Sequence, residues 1–166
     1  MIVPVLITAG VVVAAFAAMG GAWHRKRRAQ RDLALPVPPA DAGEPRIAVE
    51  GLYLATTFAG RPLERVTAAG LGFRAQATVS VTDRAVLLDR DGSERVVLPA
   101  SAVTGAGVAT WTLDRAVEPG GLTVLAWSLD RDGEAVPVES SFRLPLEERA
   151  DLIAAVGALT EKEGQP

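Results

Sequence analysis

The chain has 166 residues, of which 49% are hydrophobic, 22% charged and 5% aromatic, with a formal net charge of −3, no cysteine and one histidine. That length holds one ordinary domain plus an attachment. Lack of cysteine excludes disulfides, thiolate metal sites, iron–sulfur clusters and cysteine nucleophiles; a single histidine excludes multi-histidine metal sites; and mild acidity argues against a nucleic-acid partner.

Ile2 to Trp23 carries no charged side chain. At the helical rise these residues span about 33 Å, enough for the hydrocarbon core of a bilayer. Pro4 falls in the first turn, where its missing N–H costs little, and Trp23 falls at the end, where an amphipathic ring suits the interface. The positive charges follow the run, at Arg25, Lys26, Arg27, Arg28 and Arg31. A cleaved signal peptide carries them in front, so the order predicts an uncleaved anchor with its N-terminus outside and its C-terminal side in the cytoplasm. Gly10, Ala14, Ala18 and Ala22 form a small-residue stripe that would let two such helices pack as a homodimer. The basic cluster fixes topology; it could also recruit anionic lipid. His24 beside it reads as a solvated flanking residue.

Asp32 to Arg46 contains Pro36, Pro38, Pro39 and Pro45, which block a helix and favour extended backbone, so residues 24–46 read as a basic juxtamembrane segment and a semi-rigid spacer. From Ile47 onward the pattern has period two. Phe73, Ala75, Ala77, Val79 and Val81 alternate with Arg74, Gln76, Thr78, Ser80 and Thr82, and Val136, Val138, Ser140, Phe142 and Leu144 alternate with polar residues and Pro137. Each reads as a strand with one buried face. Ile47–Phe58, Ala85–Leu88, Arg95–Leu98, Val108–Leu113 and Leu122–Leu129 supply further strands. Two Asp-Arg-Asp-Gly turns, at 89–92 and 130–133, mark hairpins. Ala59 to Gly70 reads as an irregular loop. Pro145, Glu147 and Glu148 suit a helix start, and Ala150, Leu152, Ile153, Val156, Gly157 and Leu159 give that helix an apolar face.

Seven short antiparallel strands followed by one amphipathic helix resemble the pleckstrin-homology (PH) fold. Val81-Thr82-Asp83-Arg84-Ala85-Val86-Leu87-Leu88 resembles the "LTDRRLLL" step of bacterial PH-like domains, and Val97-Leu98-Pro99 followed by Ser101-Ala102-Val103 resembles the turn that comes after it. With its N-terminal apolar run, the whole chain is similar to the small single-pass PH-like membrane proteins of actinobacteria, some of which carry a transporter label. One helix cannot enclose a substrate path, so the label implies an accessory role at most. The resemblance implies a mainly β fold: a seven-stranded barrel or sandwich capped by a C-terminal helix and preceded by a transmembrane helix. The predicted division is 1–23 transmembrane helix, 24–46 linker, 47–160 PH-like cytoplasmic domain and 161–166 tail.

Catalytic chemistry is hard to find. A calcium loop needs a glutamate at its twelfth position, where the two Asp-x-Asp-Gly turns offer Ala100 and Ser141. There is no phosphate loop; Gly70-Leu71-Gly72 and Gly105-Ala106-Gly107 read as turn glycines beside strands. There is no Gly-x-Ser-x-Gly elbow. No catalytic residue, metal ligand or cofactor site is predicted, and the chain reads as a non-enzyme. Arg61, Arg65 and Arg74 are the candidates for an anionic-lipid or small-ligand loop, although Arg74-Ala75-Gln76 stands where lipid-binding PH domains carry a basic pair. From Ile47 on the chain has 11 basic and 17 acidic residues, a net of −6, which disfavours an anionic leaflet. Trp111 and Trp127 read as core. The expected function is a membrane-anchored binding or scaffold module that holds a protein partner at the cytoplasmic face. The alternatives are lipid or small-ligand binding, and service as an accessory subunit of a transporter or membrane enzyme.

Overall fold

A computed structural model describes residues 30–109 and 121–163, together with helical residues 12, 16 and 19–21. The chain divides into two compact units, Met1–Asp32 and Leu33–Pro166. In the first, Val12, Phe16 and Met19 recur at helical spacing and expose their side chains. Among the described residues no helix is long and apolar enough to cross a membrane. Most of the predicted anchor, including Gly10, Ala14, Ala18, Ala22, Trp23, Arg25, Lys26, Arg27 and Arg28, lies outside the described residues, as does Trp111.

The second unit is mainly β. Its strands are β1 (Leu33–Ala34), β2 (Ile47–Phe58), β3 (Arg61–Arg65), β4 (Ala75–Val81), β5 (Ala85–Arg90), β6 (Val96–Pro99), β7 (Val103–Ala109), β8 (Leu122–Arg131) and β9 (Glu134–Arg143), and a helix over Leu146–Glu163 follows. All pairings are antiparallel, in the order β1-β8-β9-β2-β4-β5-β6, with β3 on β2 and β7 on β8. Six of the seven strands expected from the alternation are β2, β4, β5, β6, β8 and β9; the seventh, expected at Val108–Leu113, overlaps β7 only at Val108 and Ala109, and its residues 110–113 lie outside the described residues.

Long β2 joins the two arms of the sheet. Its first half pairs with β4 and its second half with β9, with a register shift between Tyr53 and Ala55. Gly51 sits at this bend. A Cβ there would lie 2.5 Å from the Arg143 carbonyl oxygen and 2.6 Å from Leu144 Cδ2, so only glycine admits the close approach. The curled sheet encloses one core, with Val49, Val79, Leu88 and Leu98 from one arm and Leu125, Trp127 and Phe142 from the other. Leu152, Val156 and Leu159 of the helix complete it, three residues of the face expected from helical spacing.

Several details depart from expectation. The spacer is not free of the domain: Leu33 and Ala34 pair with Arg131 and Asp130, and Leu33 is buried. Asp41 and Ala42 are tied to the β4–β5 turn, where Arg84 Nη1 donates to Asp41 Oδ2 at 2.8 Å and Thr82 Oγ1 donates to the Ala42 carbonyl at 2.5 Å. The compact unit therefore begins at Leu33, fourteen residues before the expected Ile47. Proline fixed this stretch as extended, and extended chain with free carbonyls can be bonded by a neighbour. The loop expected at 59–70 contains β3, which folds back on the end of β2. Phe73, expected to face inward, precedes β4 and is exposed. Arg90, expected in a turn, ends β5 and is buried, and Gly105 to Gly107, expected in a turn, lie inside β7. The second Asp-Arg-Asp-Gly turn closes a hairpin as expected: Asp132 and Gly133 both have positive φ, at 54° and 87°, the backbone of a two-residue type I′ connection.

Candidate functional site

Strand β7 presents the feature with most capacity to bind. It pairs with β8 along one edge, Val103 opposite Trp127 and Ala109 opposite Leu122, and no other strand among the described residues pairs with its far edge. It also packs beside the C-terminal helix. Its sequence, Val-Thr-Gly-Ala-Gly-Val-Ala, has no charge and no proline. A Cβ placed on Gly105 or Gly107 would meet nothing within 4 Å, and Val108 is 51% exposed. The strand thus offers a row of backbone donors and acceptors flanked by small side chains.

A rigid platform lies behind it. Trp127 of β8 is buried, and its Nε1 donates to Ser140 Oγ at 2.8 Å. Ser140 and Thr56 share a hydroxyl hydrogen bond at 2.6 Å, Thr56 and Tyr53 share one at 2.7 Å, and the Tyr53 hydroxyl donates to the Leu71 carbonyl at 2.5 Å. A continuous polar chain therefore crosses β8, β9 and β2 inside the core. Buried groups that all find partners rigidify the structure around them. Burial pushes the Tyr53 phenol up to about 12, so it remains a neutral donor. Arg90 covers the Tyr53 ring, 5.4 Å from its centroid, and donates to the Gly70 and Ala69 carbonyls at 2.9 and 3.0 Å. These two bonds hold the turn in which Ala69 and Gly70 take positive φ.

The arginines proposed from sequence lie elsewhere. Arg61 and Arg65 are both on β3. Arg61 pairs with Glu64 at 3.0 Å and stacks 5.1 Å from the Phe58 centroid; Arg65 donates to the Gly72 carbonyl at 3.3 Å. Arg74 is exposed before β4, and Arg31 is exposed in a turn of the N-terminal unit. None of Arg61, Arg65 and Arg74 lines the cleft of about 330 Å³ formed near the end of the C-terminal helix. That cleft has Val81 and Leu159 on its walls and Arg46, Asp83 and Lys162 at its rim. Asp83 pairs with Arg46, and with Lys162 at 3.3 Å, and the Arg46 hydrogen bond is the main cause that holds its carboxyl below the ordinary value. The rim is an electrostatic junction closing the strap at residues 41–46 onto the helix. Among the described residues no three His, Cys, Asp or Glu side chains gather as a metal site.

Sequence reasoning missed Tyr53 and Arg90; the PH-like resemblance implies a strand-accepting sheet edge beside the terminal helix, but not which residues form it. Arg90 had a signal: it continues the alternate positions Val86 and Leu88. The residues of the edge had none, because pairing is a property of distant segments.

A curled antiparallel sheet closed by one C-terminal helix defines the PH-like class, an architecture of binding and scaffold modules. The family described as Bacterial PH domain-like matches residues 33–158, and the chain belongs to that family. Its match starts at the residue where the compact unit starts. No curated protein matches the chain. Among solved structures, a chain of "The 8S snRNP Assembly Intermediate" superposes with a TM-score of 0.50 at 10% identity, over 81% of this chain and 94% of that one. At that identity the likeness is one of fold alone.

Proposed function

We propose that this protein is a non-enzymatic, single-pass membrane-anchored PH-like module that holds a protein partner at the cytoplasmic face by accepting a strand on the free edge of β7. The carrying observation is that edge: unpaired by any other strand among the described residues, uncharged, open at the face of Gly105 and Gly107, and backed by a rigid core. Strand addition draws affinity from main-chain hydrogen bonds, so it needs no catalytic or charged side chains. The apolar run Ile2–Trp23, followed by Arg25, Lys26, Arg27, Arg28 and Arg31, supports the anchor and its orientation.

Val108→Lys tests the edge, since a charge on a strand edge opposes pairing. Full-length protein should crosslink to its partner in native membranes, and the Val108→Lys protein should capture at least tenfold less. Equal capture by both would overturn the edge reading. A reporter active only in the cytoplasm, fused after Pro166, should be active; an inactive reporter would overturn the orientation.

A second reading has its own observation. Leu63 and Phe73 are 73% and 65% exposed in the segment that carries Arg61, Arg65 and Arg74. Apolar side chains among basic ones suit docking to an anionic bilayer. This reading expects the triple variant Arg61→Ala, Arg65→Ala and Arg74→Ala to lose binding to anionic vesicles, with Val108→Lys unaffected.

A further inference from the structure

We infer that Leu33–Arg46 is a releasable strap, a length of tether stored on the domain and let out without unfolding the sheet. Bound, it leaves residues 24–32 to connect the apolar run to the domain; released, it adds residues 33–46 to that connection. The tether role rests on the membrane-anchored reading; the release itself does not.

Surface contacts hold the strap. Within Leu33–Arg46 only Leu33 is buried, and Leu35 is partly buried against the core. β1 contributes two residues of pairing. The Arg84–Asp41 and Arg46–Asp83 pairs have side chains 47% to 71% exposed, and exposed ion pairs hold weakly. A segment with few buried apolar contacts opens at a lower free energy than the core beneath it.

The groups that the strap touches keep other partners when it leaves. Thr82 is buried; its Oγ1 donates to the Ala42 carbonyl at 2.5 Å, and the Ala85 carbonyl stands 3.1 Å away as a second acceptor. Asp83 Oδ1 is paired with Arg46, and with Lys162 of the helix at 3.3 Å. Asp130 and Arg131 pair with β1 along one edge and with Ala135 and Glu134 of β9 along the other. Arg84 is exposed. Release therefore strands neither the Thr82 hydroxyl nor the Asp83 carboxylate, and the main loss is the burial of Leu33.

Proline makes the motion reversible. Pro36, Pro38, Pro39 and Pro45 keep the free segment extended, so little backbone entropy is lost when it rebinds. At about 3.3 Å per residue the connection spans at most about 30 Å with the strap bound and about 75 Å with it free. A module that captures a partner at the membrane searches a larger volume with the strap out.

The test uses the full chain in lipid nanodiscs, with a donor dye on a peptide tag after Pro166. A Cβ on Gly43 would lie 3.7 Å from Thr82 Cβ. That is within the disulfide range of about 3.5–4.5 Å, and the chain has no cysteine of its own. Gly43→Cys with Thr82→Cys therefore locks the strap under oxidant and frees it under reductant. Both states carry the same substitutions, so the positive φ at Gly43 affects them alike. Wild-type residues 33–46 should exchange amide hydrogens at least about tenfold faster than β4 and β5, and locking should slow that segment about tenfold relative to the reduced protein. Leu33→Asp puts a charge at the buried position and should free the segment, while β4 and β5 keep their protection. Energy transfer to acceptor lipids should be highest in the locked protein and lowest in Leu33→Asp. Exchange of residues 33–46 in step with β4 and β5, or loss of β4 and β5 protection in Leu33→Asp, would overturn the release. Equal transfer in the locked and Leu33→Asp proteins, both inserted, would overturn the tether role. A chain that does not insert would overturn the anchor reading and the tether role with it, and exchange would still decide the release.

Discussion

β3 and β7 are both edge strands, and they answer the same problem in opposite ways. β3 is five residues long and bears Arg61, Pro62, Glu64 and Arg65. Its charges and proline discourage another strand from docking, and Leu63 stands exposed between them. β7 is seven residues long and bears no such device. An open edge carries a risk of uncontrolled pairing, and it is also what the proposed strand addition requires. The supports differ too. β7 rests on β8, whose Trp127 anchors the buried hydrogen-bonded chain to Tyr53. β3 pairs with only the last two residues of β2.

The largest break in this comparison comes from removing the support. Trp127→Ala should lower unfolding stability by about 3–5 kcal/mol, the range for a buried tryptophan, whereas Leu63→Ala on β3 should stay within about 0.5 kcal/mol. Denaturant titration of the two variants measures both. Equal losses would show that β7 has no special platform.

Next is Tyr53→Phe. It removes one of two donors to the Leu71 carbonyl, which keeps the Thr56 backbone N–H at 2.8 Å, and shortens the chain of hydroxyls that ends at Trp127. The expected loss is about 1–2 kcal/mol by chemical denaturation. Hydrogen exchange should accelerate around Leu71 more than in β3.

A subtler change would convert one edge towards the other. Replacing Arg61, Glu64 and Arg65 together by Thr removes most of the guard on β3 and should produce concentration-dependent association by light scattering, even with Val108→Lys present. Pro62 remains, so the effect should be modest. No association at all would show that proline alone blunts the edge.

The smallest effect concerns the junction at Asp83. Its carboxyl is held below the ordinary value of 3.8, chiefly by Arg46. A depressed folded value means that the stabilisation is present above the ordinary value and is lost as pH falls through the folded one. Thermal melts of wild type and Asp83→Asn should therefore differ most above pH 4 and converge in stronger acid. Because the pair is exposed to solvent, the difference should be small and should shrink with added salt.

Much of the domain was legible because strand periodicity is local. Val136 to Leu144 alternates in sequence and alternates in burial, and β2 runs over the same Ile47–Phe58 in both. The Asp132-Gly133 hairpin was legible because positive φ has a residue signature. The strap was not, because Leu33–Ala34 becomes a strand only where Asp130 and Arg131 meet it. Arg90 looked like a turn residue, because its burial depends on carbonyls at Ala69 and Gly70, some twenty residues earlier.

The amino-acid pattern by itself determined the apolar N-terminal run, the alternating strands, the terminal amphipathic helix and the lack of a catalytic motif. Each of these follows from residue types at short spacing. Tertiary structure alone decided which edge is guarded and which is open. It also decided that Gly51 sits where Arg143 closes in, and that a glycine-rich stretch expected to turn lies within a strand. Those outcomes depend on which distant segment fills each hydrogen-bonding position, and short-range spacing carries no record of that.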